Sequence, residues 1–107
     1  MAIRDYRDRR TAAFVAGRRI REFQAFAAQA ARGIAKLQSV TRLIELRNPP
    51  SNRFEALRGD QAGEYSIRIN DQWRICFRWA FTDNAPSGTD ELLIQGEPYD
   101  VGITDYH

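Results

Sequence analysis

The hydrophobic pattern changes period once along the chain. In the first half, Phe23, Phe26, Ala27, Ala30, Ile34, Leu37 and Val40 recur at spacings of three and four. That period lines them up on one face of an amphipathic helix. Arg32 and Lys36 fall on its other side, one turn apart, as a solvated face or a binding one. Ahead of the helical region, Ile3 to Tyr6 alternate in the manner of a short edge strand. Behind it, Ser39 or Thr41 is expected to break the helix and cap a short second one holding Leu43, Ile44 and Leu46. The segment NPPSN then stops helix.

Past that stop the period becomes two. Tyr65, Ile67 and Ile69 alternate with Ser66, Arg68 and Asn70, and Trp73, Ile75, Phe77 and Trp79 alternate with Arg74, Cys76 and Arg78. These are two half-buried strands. A strand at Phe54 to Arg58, ended by Gly59–Asp60, is expected before them, and one at Tyr99 to Thr104 after them. The polar stretch between, TDNAPSGTDELLIQGEP, holds at most a short strand at Leu92 to Ile94. Helices first and strands afterwards predict an α+β fold, with N-terminal helices packed on one face of an antiparallel sheet. The 107 residues suit one domain over residues 1–107, with no internal repeat and no linker.

Side-chain parity predicts the register of the two central strands. A two-residue turn at Asp71–Gln72 would set Asn70 against Trp73 and mix polar with apolar on one face. A three-residue loop, Asn70–Asp71–Gln72, sets Ile69 against Trp73, Ile67 against Ile75 and Tyr65 against Phe77. On the other face it sets Glu64 against Arg78, an ion pair, and Arg68 against Arg74. Like charges directly opposite destabilise a sheet by up to ~1 kcal/mol. Either an acidic side chain or a bound polyanion relieves that pair.

Charge sharpens this. The net charge of +2 conceals 13 Lys/Arg and 5 Asp/Glu up to Arg58, then 3 and 9 from Gly59 onward. Fifteen of the 16 cations are arginine. An arginine-heavy half suits phosphate or nucleic acid, because the guanidinium fork binds phosphate bidentately, though genome composition also produces such bias. There is no glycine-rich phosphate loop and no CxxC, and one His with one Cys makes no zinc site. If the chain is an enzyme, acid–base chemistry and arginine electrostatics without a metal or other cofactor are expected. Cys76, the lone cysteine, is expected to be a small packing residue rather than a nucleophile. No apolar segment follows the charged start MAIRDYRDRR, and none approaches the ~20 residues that span a bilayer. With no internal disulfide possible, a cytoplasmic protein with no membrane partner is expected.

The block NRFEALRGDQAGEYSIRINDQWRICFRW and the ending DYH resemble the HigB-like toxins of the RelE/ParE toxin–antitoxin superfamily, as does IRDYRDRRTAAFVAGRRIREF. The resemblance covers nearly the whole chain. It implies helices against a curved antiparallel sheet and a ribosome-dependent endoribonuclease that cuts mRNA in the A site. It also implies a HigA-like helix-turn-helix antitoxin, with operator DNA bound through the toxin–antitoxin complex. Carried over by position, it implies a site of Arg58, Arg74, Asp105, Tyr106 and His107. Glu55 stands where some relatives have a histidine, so a base there becomes a carboxylate. Arg68, from the parity argument, and Arg53 are added as RNA-binding residues. Arg74 with Arg58 or Arg68 would stabilise the phosphorane, Asp105 or Glu55 would assist deprotonation, His107 would donate the proton, and Tyr106 would stack on a base or orient the phosphate. The alternatives are a non-cleaving ribosome blocker or co-repressor, and a gyrase-targeting relative.

Four tensions accompany that site. In an unbroken strand, Asp105 and His107 face with Ile103 while Tyr106 faces with Thr104, and Glu55 and Arg58 fall on opposite faces unless a bulge intervenes. The stretch from Thr82 to Pro98 is longer than in many relatives. Gly102 stands where relatives often have a charge.

Overall fold

The computed structural model describes residues 3–105. Helix α1 spans Arg9–Val15 and opens on Asp8, whose carboxylate accepts from the Thr11 N–H at 2.8 Å. A 3₁₀ segment, Arg21–Phe26, leads into α2, Ala27–Ser39. Further 3₁₀ turns cover Leu43–Arg47, Pro50–Asn52, Gly59–Gln61 and Glu91–Leu93. The strands are β1 (Glu55–Ala56), β2 (Glu64–Arg68), β3 (Trp73–Phe81) and β4 (Gly96–Asp105). They form one antiparallel sheet in the order β1-β2-β3-β4. This is the α+β arrangement that the change of period predicts. No helix among the described residues is long and apolar enough to cross a membrane.

The helical stripe is the core. Phe23, Phe26, Ala30, Ile34, Leu37 and Val40 are all buried, against Tyr65, Ile67, Ile75, Phe77 and Ile103 of the sheet. Gly33 lets α2 sit close: a Cβ there would lie 2.6 Å from Ile75 Cδ1. The first turn of the expected helix is 3₁₀, so Phe23 and Phe26 meet Trp73 as an aromatic cluster, with ring centroids 5.8 and 5.0 Å away.

The β2–β3 register is the one parity predicts. Ile67 pairs with Ile75, Tyr65 with Phe77, Glu64 with Arg78 and Arg68 with Arg74. Asn70 holds the three-residue turn: its Oδ1 accepts from the Gln72 and Trp73 N–H groups at 2.9 and 2.8 Å.

Elsewhere the structure corrects the pattern. Ile3 to Tyr6 is no paired strand. Tyr6 makes a single parallel bridge to Val101, and the Arg4 and Arg7 N–H groups donate to Pro98 and Val101. The expected strand at Phe54 to Arg58 shrinks to Glu55–Ala56, and Leu92 to Ile94 lies in and after a 3₁₀ turn capped by Asp90. Neither Ser39 nor Thr41 caps the second helical turn. Glu45 reaches back instead and accepts from the Thr41 and Arg42 N–H groups at 3.3 and 2.9 Å. Strand β4 starts earlier than expected and carries an extra residue. Cys76 pairs with Gly102 and Arg78 with Tyr99, so Asp100 and Val101 stand against Phe77 alone. Asp100 takes the left-handed conformation there, at φ +53°. Such a bulge bends and twists the strand that carries it.

Thr11 ties α1 to the sheet. It is fully buried, and its hydroxyl accepts from the Ile103 N–H at 3.0 Å. Thr11→Val keeps the shape and orphans that N–H. A loss of about 1–3 kcal/mol in urea-unfolding free energy is expected, with the far-UV spectrum retained.

Candidate nucleic-acid interface

Because α2 covers one face of the sheet, the other face carries the alternate residues: Glu55, Glu64, Ser66, Arg68, Arg74, Cys76, Arg78 and Thr104. At one end of this face three arginines converge. Arg74 is nearly buried, and its Nη2 donates to the Arg53 carbonyl at 2.6 Å. Its Nη1 lies 3.5 Å from Glu55 Oε1. Arg68, directly across, donates to Asp71 Oδ1 at 2.6 Å. Arg53 closes the Pro50–Asn52 turn in the left-handed conformation, φ +44°. The Asp71 carboxyl is held below its ordinary range, first by the Arg68 hydrogen bond and charge and then by Arg53.

The facing arginines are therefore relieved by acidic side chains, a separate one for each. Asp71 serves Arg68 and Glu55 serves Arg74. Asp71 follows Arg68 by three residues, inside the turn, and that spacing is the signal that identifies it as the clamp.

The remaining sequence-predicted residues are distributed as follows. Glu55 pairs with Ser66 and faces Arg74. Arg58 is exposed and precedes the Gly59–Gln61 turn. It lies past the end of β1, toward the start of β2 and away from Arg68. Strand β4 is unbroken to Asp105, which pairs with Trp73, whereas Thr104 pairs with Arg74. Asp105 thus stands on the face opposite Arg74, where its carboxylate accepts from the Gln72 amide at 3.1 Å. Tyr106 and His107 lie outside the described residues.

A second charged cluster occupies the other end of the open face. The expected Glu64–Arg78 ion pair is replaced by a wider one. Arg7 donates to Glu64 at 2.5 Å and to Asp100 at 3.2 Å, and Arg78 lies 3.8 Å from Asp100. The Arg7 stem lies across Gly102, where a Cβ would come within 3.1 Å of it. A larger residue at 102 would displace Arg7, which accounts for the glycine. Arg7 and Asp100 are partners that parity misses, since one precedes the sheet and the other sits on a bulge. The segment after β3 lies away from the arginine end. Thr82 follows Phe81, about 23 Å along β3 from Arg74. The segment is held by Arg42 donating to the Leu93 carbonyl at 2.9 Å. A concavity of about 670 Å³ between α2 and the Phe14–Arg19 stretch is mostly apolar and contains none of the predicted site residues.

Cys76 is buried between these two clusters, and burial pushes its thiol above the ordinary range despite a hydrogen bond with Thr104.

An α+β domain that buries one sheet face under a helix and presents arginines from the other defines the class. A family model for HigB-like toxins, described as RelE-like toxins of type II toxin–antitoxin systems, matches residues 6–88. The chain belongs to that family. It is 54% identical over 35 residues to Toxin HigB-1 of Vibrio cholerae serotype O1 (strain ATCC 39315 / El Tor Inaba N16961). That match covers 33% of this chain and 37% of that toxin. The solved YoeB/ParE toxin from Agrobacterium tumefaciens is similar at a TM-score of 0.47 and 20% identity, over 100% of this chain and 99% of that one.

The Cys76 environment leads to a chemical test. A thiol this buried, with its pKa raised, should react with a disulfide reagent at neutral pH only as fast as the protein opens, and at once in denaturant. The sign for stability follows. Unfolded Cys76 ionises near the ordinary thiol pKa and folded Cys76 above it, so stability should fall as pH rises through that window. Cys76→Ala should remove that part of the decline, read from urea midpoints across alkaline pH.

Proposed function

We propose that this protein is a ribosome-dependent endoribonuclease that cuts mRNA in the A site by metal-free acid–base chemistry. The single observation that supports the reading is the hold on Arg74. Its guanidinium is fixed between the Arg53 carbonyl and Glu55 on the open sheet face, beside Arg68. A cation held in place before the substrate arrives needs no reorganisation when charge builds on a phosphorane, which is what makes such groups effective.

In this mechanism Arg74 and Arg68 take up the developing negative charge. Glu55, the carboxylate beside Arg74, accepts the proton of the attacking 2′-hydroxyl. Its placement favours it over Asp105, which faces the other way. Arg58 and Arg53 contact neighbouring phosphates. His107 returns a proton to the leaving 5′-oxygen, and Tyr106 stacks on a base or orients the phosphate. A HigA-like helix-turn-helix antitoxin neutralises the protein, and the complex binds operator DNA.

Arg74→Ala, and separately deletion of His107, should abolish growth arrest on induction while the proteins stay folded. In a translation reaction read by primer extension, Arg74→Ala should lower the yield of new mRNA 5′ ends by about 10²-fold or more. Glu55→Gln should cost at least about 10²-fold, and Asp105→Asn clearly less. Full toxicity of folded Arg74→Ala and of the His107 deletion would remove this site. Growth arrest with no new 5′ ends would make the protein a ribosome blocker instead.

A further inference from the structure

Beyond the Arg74 end of the open face, the chain forms a second concave surface whose helix cations the proposed chemistry leaves unused. It is a cleft of about 340 Å³ where α2, the Pro49–Asn52 turn and the end of β2 meet. Its cations are Arg32 and Lys36 of α2 and Arg68 of β2. Gln29 and Ser51 add neutral hydrogen-bonding groups, and no carboxylate lines it. Among the described residues, neither Arg32 nor Lys36 has a salt-bridge partner. Of the three cations, Arg68 is ion-paired with the exposed Asp71.

We propose that this cleft is a phosphate-binding site for single-stranded RNA, holding the backbone of the strand whose scissile phosphate lies at Arg74. The inference rests on the RNA reading above and extends it from one phosphate to a track. Arg68 supplies the continuity. It lines the cleft and pairs with Arg74 across β2 and β3. The 49–53 stretch supplies it a second time, because the turn that walls the cleft ends in the Arg53 carbonyl that accepts from Arg74. A strand leaving the Arg74 site in this direction meets Arg68 and the two α2 cations, Arg32 and Lys36, one helical turn apart. Phosphodiesters offer only acceptors and negative charge, and the cleft offers donors and positive charge. A positive groove that tracks a backbone is the sequence-tolerant way to hold a single strand. The two helix positions that periodicity leaves as either solvated or functional thereby take a function.

The test is salt-dependent binding of the full-length protein to a fluorescein-labelled 2′-O-methyl oligouridylate, which cannot be cleaved, followed by anisotropy. Each lost phosphate contact lowers the slope of log K against log salt by about 0.7 for a single strand, so Arg32→Ala/Lys36→Ala should lower it by about 1.4. Arg32→Gln alone, at an exposed position, should lower it by about 0.7 and guards against misfolding of the double variant. Arg18→Ala/Arg19→Ala removes the same charge from the apolar groove and should leave the slope unchanged. An unaltered slope in the Arg32 and Lys36 variants, an equal fall in the Arg18 and Arg19 control, or no binding by the wild type each overturns the cleft. Primer extension keeps the two readings apart. New mRNA 5′ ends with an unaltered slope reject the cleft alone, and an altered slope without new 5′ ends rejects the nuclease alone.

Discussion

One amide oxygen sets the arrangement on which the rest depends. Asn70 Oδ1 accepts from two successive backbone N–H groups, those of Gln72 and Trp73, and so holds the β2–β3 connection at three residues. Strand side chains alternate with a period of two, so a connection one residue shorter would exchange the faces of one strand relative to the other. The apolar set on β3 would then lose either α2 or its partners on β2. With the turn as it is, Ile67, Ile75, Phe77 and Ile103 meet the α2 stripe, and every arginine of β2 and β3 is left on the open face.

That sorting creates an electrostatic problem at Arg68 and Arg74, and the chain solves it locally. Each guanidinium has its own carboxylate, one from the turn and one from β1, and the nearly buried Arg74 also takes the Arg53 carbonyl. The two clamps differ in exposure. Asp71 is almost wholly solvated, so its hold on Arg68 is screened and readily exchanged for another anion. Arg74 is itself nearly buried and is held by a backbone carbonyl as well as a carboxylate, so its hold is screened less. A fixed cation beside an exchangeable one suits a phosphate that must be both positioned and released. The far end of the face is different. Arg7, Glu64, Asp100 and Arg78 there neutralise one another and hold the N-terminal segment against β4, which makes that cluster structural.

Legibility in the sequence follows the range of the forces involved. The α2 stripe and the strand alternation are readable because each repeats over many residues and the core rewards every repeat. The Arg68–Arg74 juxtaposition is readable because parity carries it across the turn. The 3₁₀ geometry of Arg21–Phe26, the shrinkage of the strand at Phe54 to Arg58 and the bulge at Asp100 are not readable. Each is a compromise between a weak local preference and packing against residues far away in the chain. The partner of Glu64 illustrates this. Register offers Arg78, but Arg7, 57 residues earlier, takes the carboxylate because α1 is tied to β4 through Thr11.

By itself, then, the sequence determined the class of fold, the register of the central strands and the presence of an arginine pair on an uncovered face, because side-chain period and turn length are properties of neighbouring residues. Only the tertiary structure decided which carboxylate meets Arg74. Glu55 comes to Arg74 and Asp105 stays on the opposite face, because β4 keeps a regular register from Gly102 to Asp105 and β1 pairs Glu55 with Ser66 on the open face. It alone also brought Arg32 and Lys36 against the Pro49–Asn52 turn, since a cleft between three elements has no signature in any one of them.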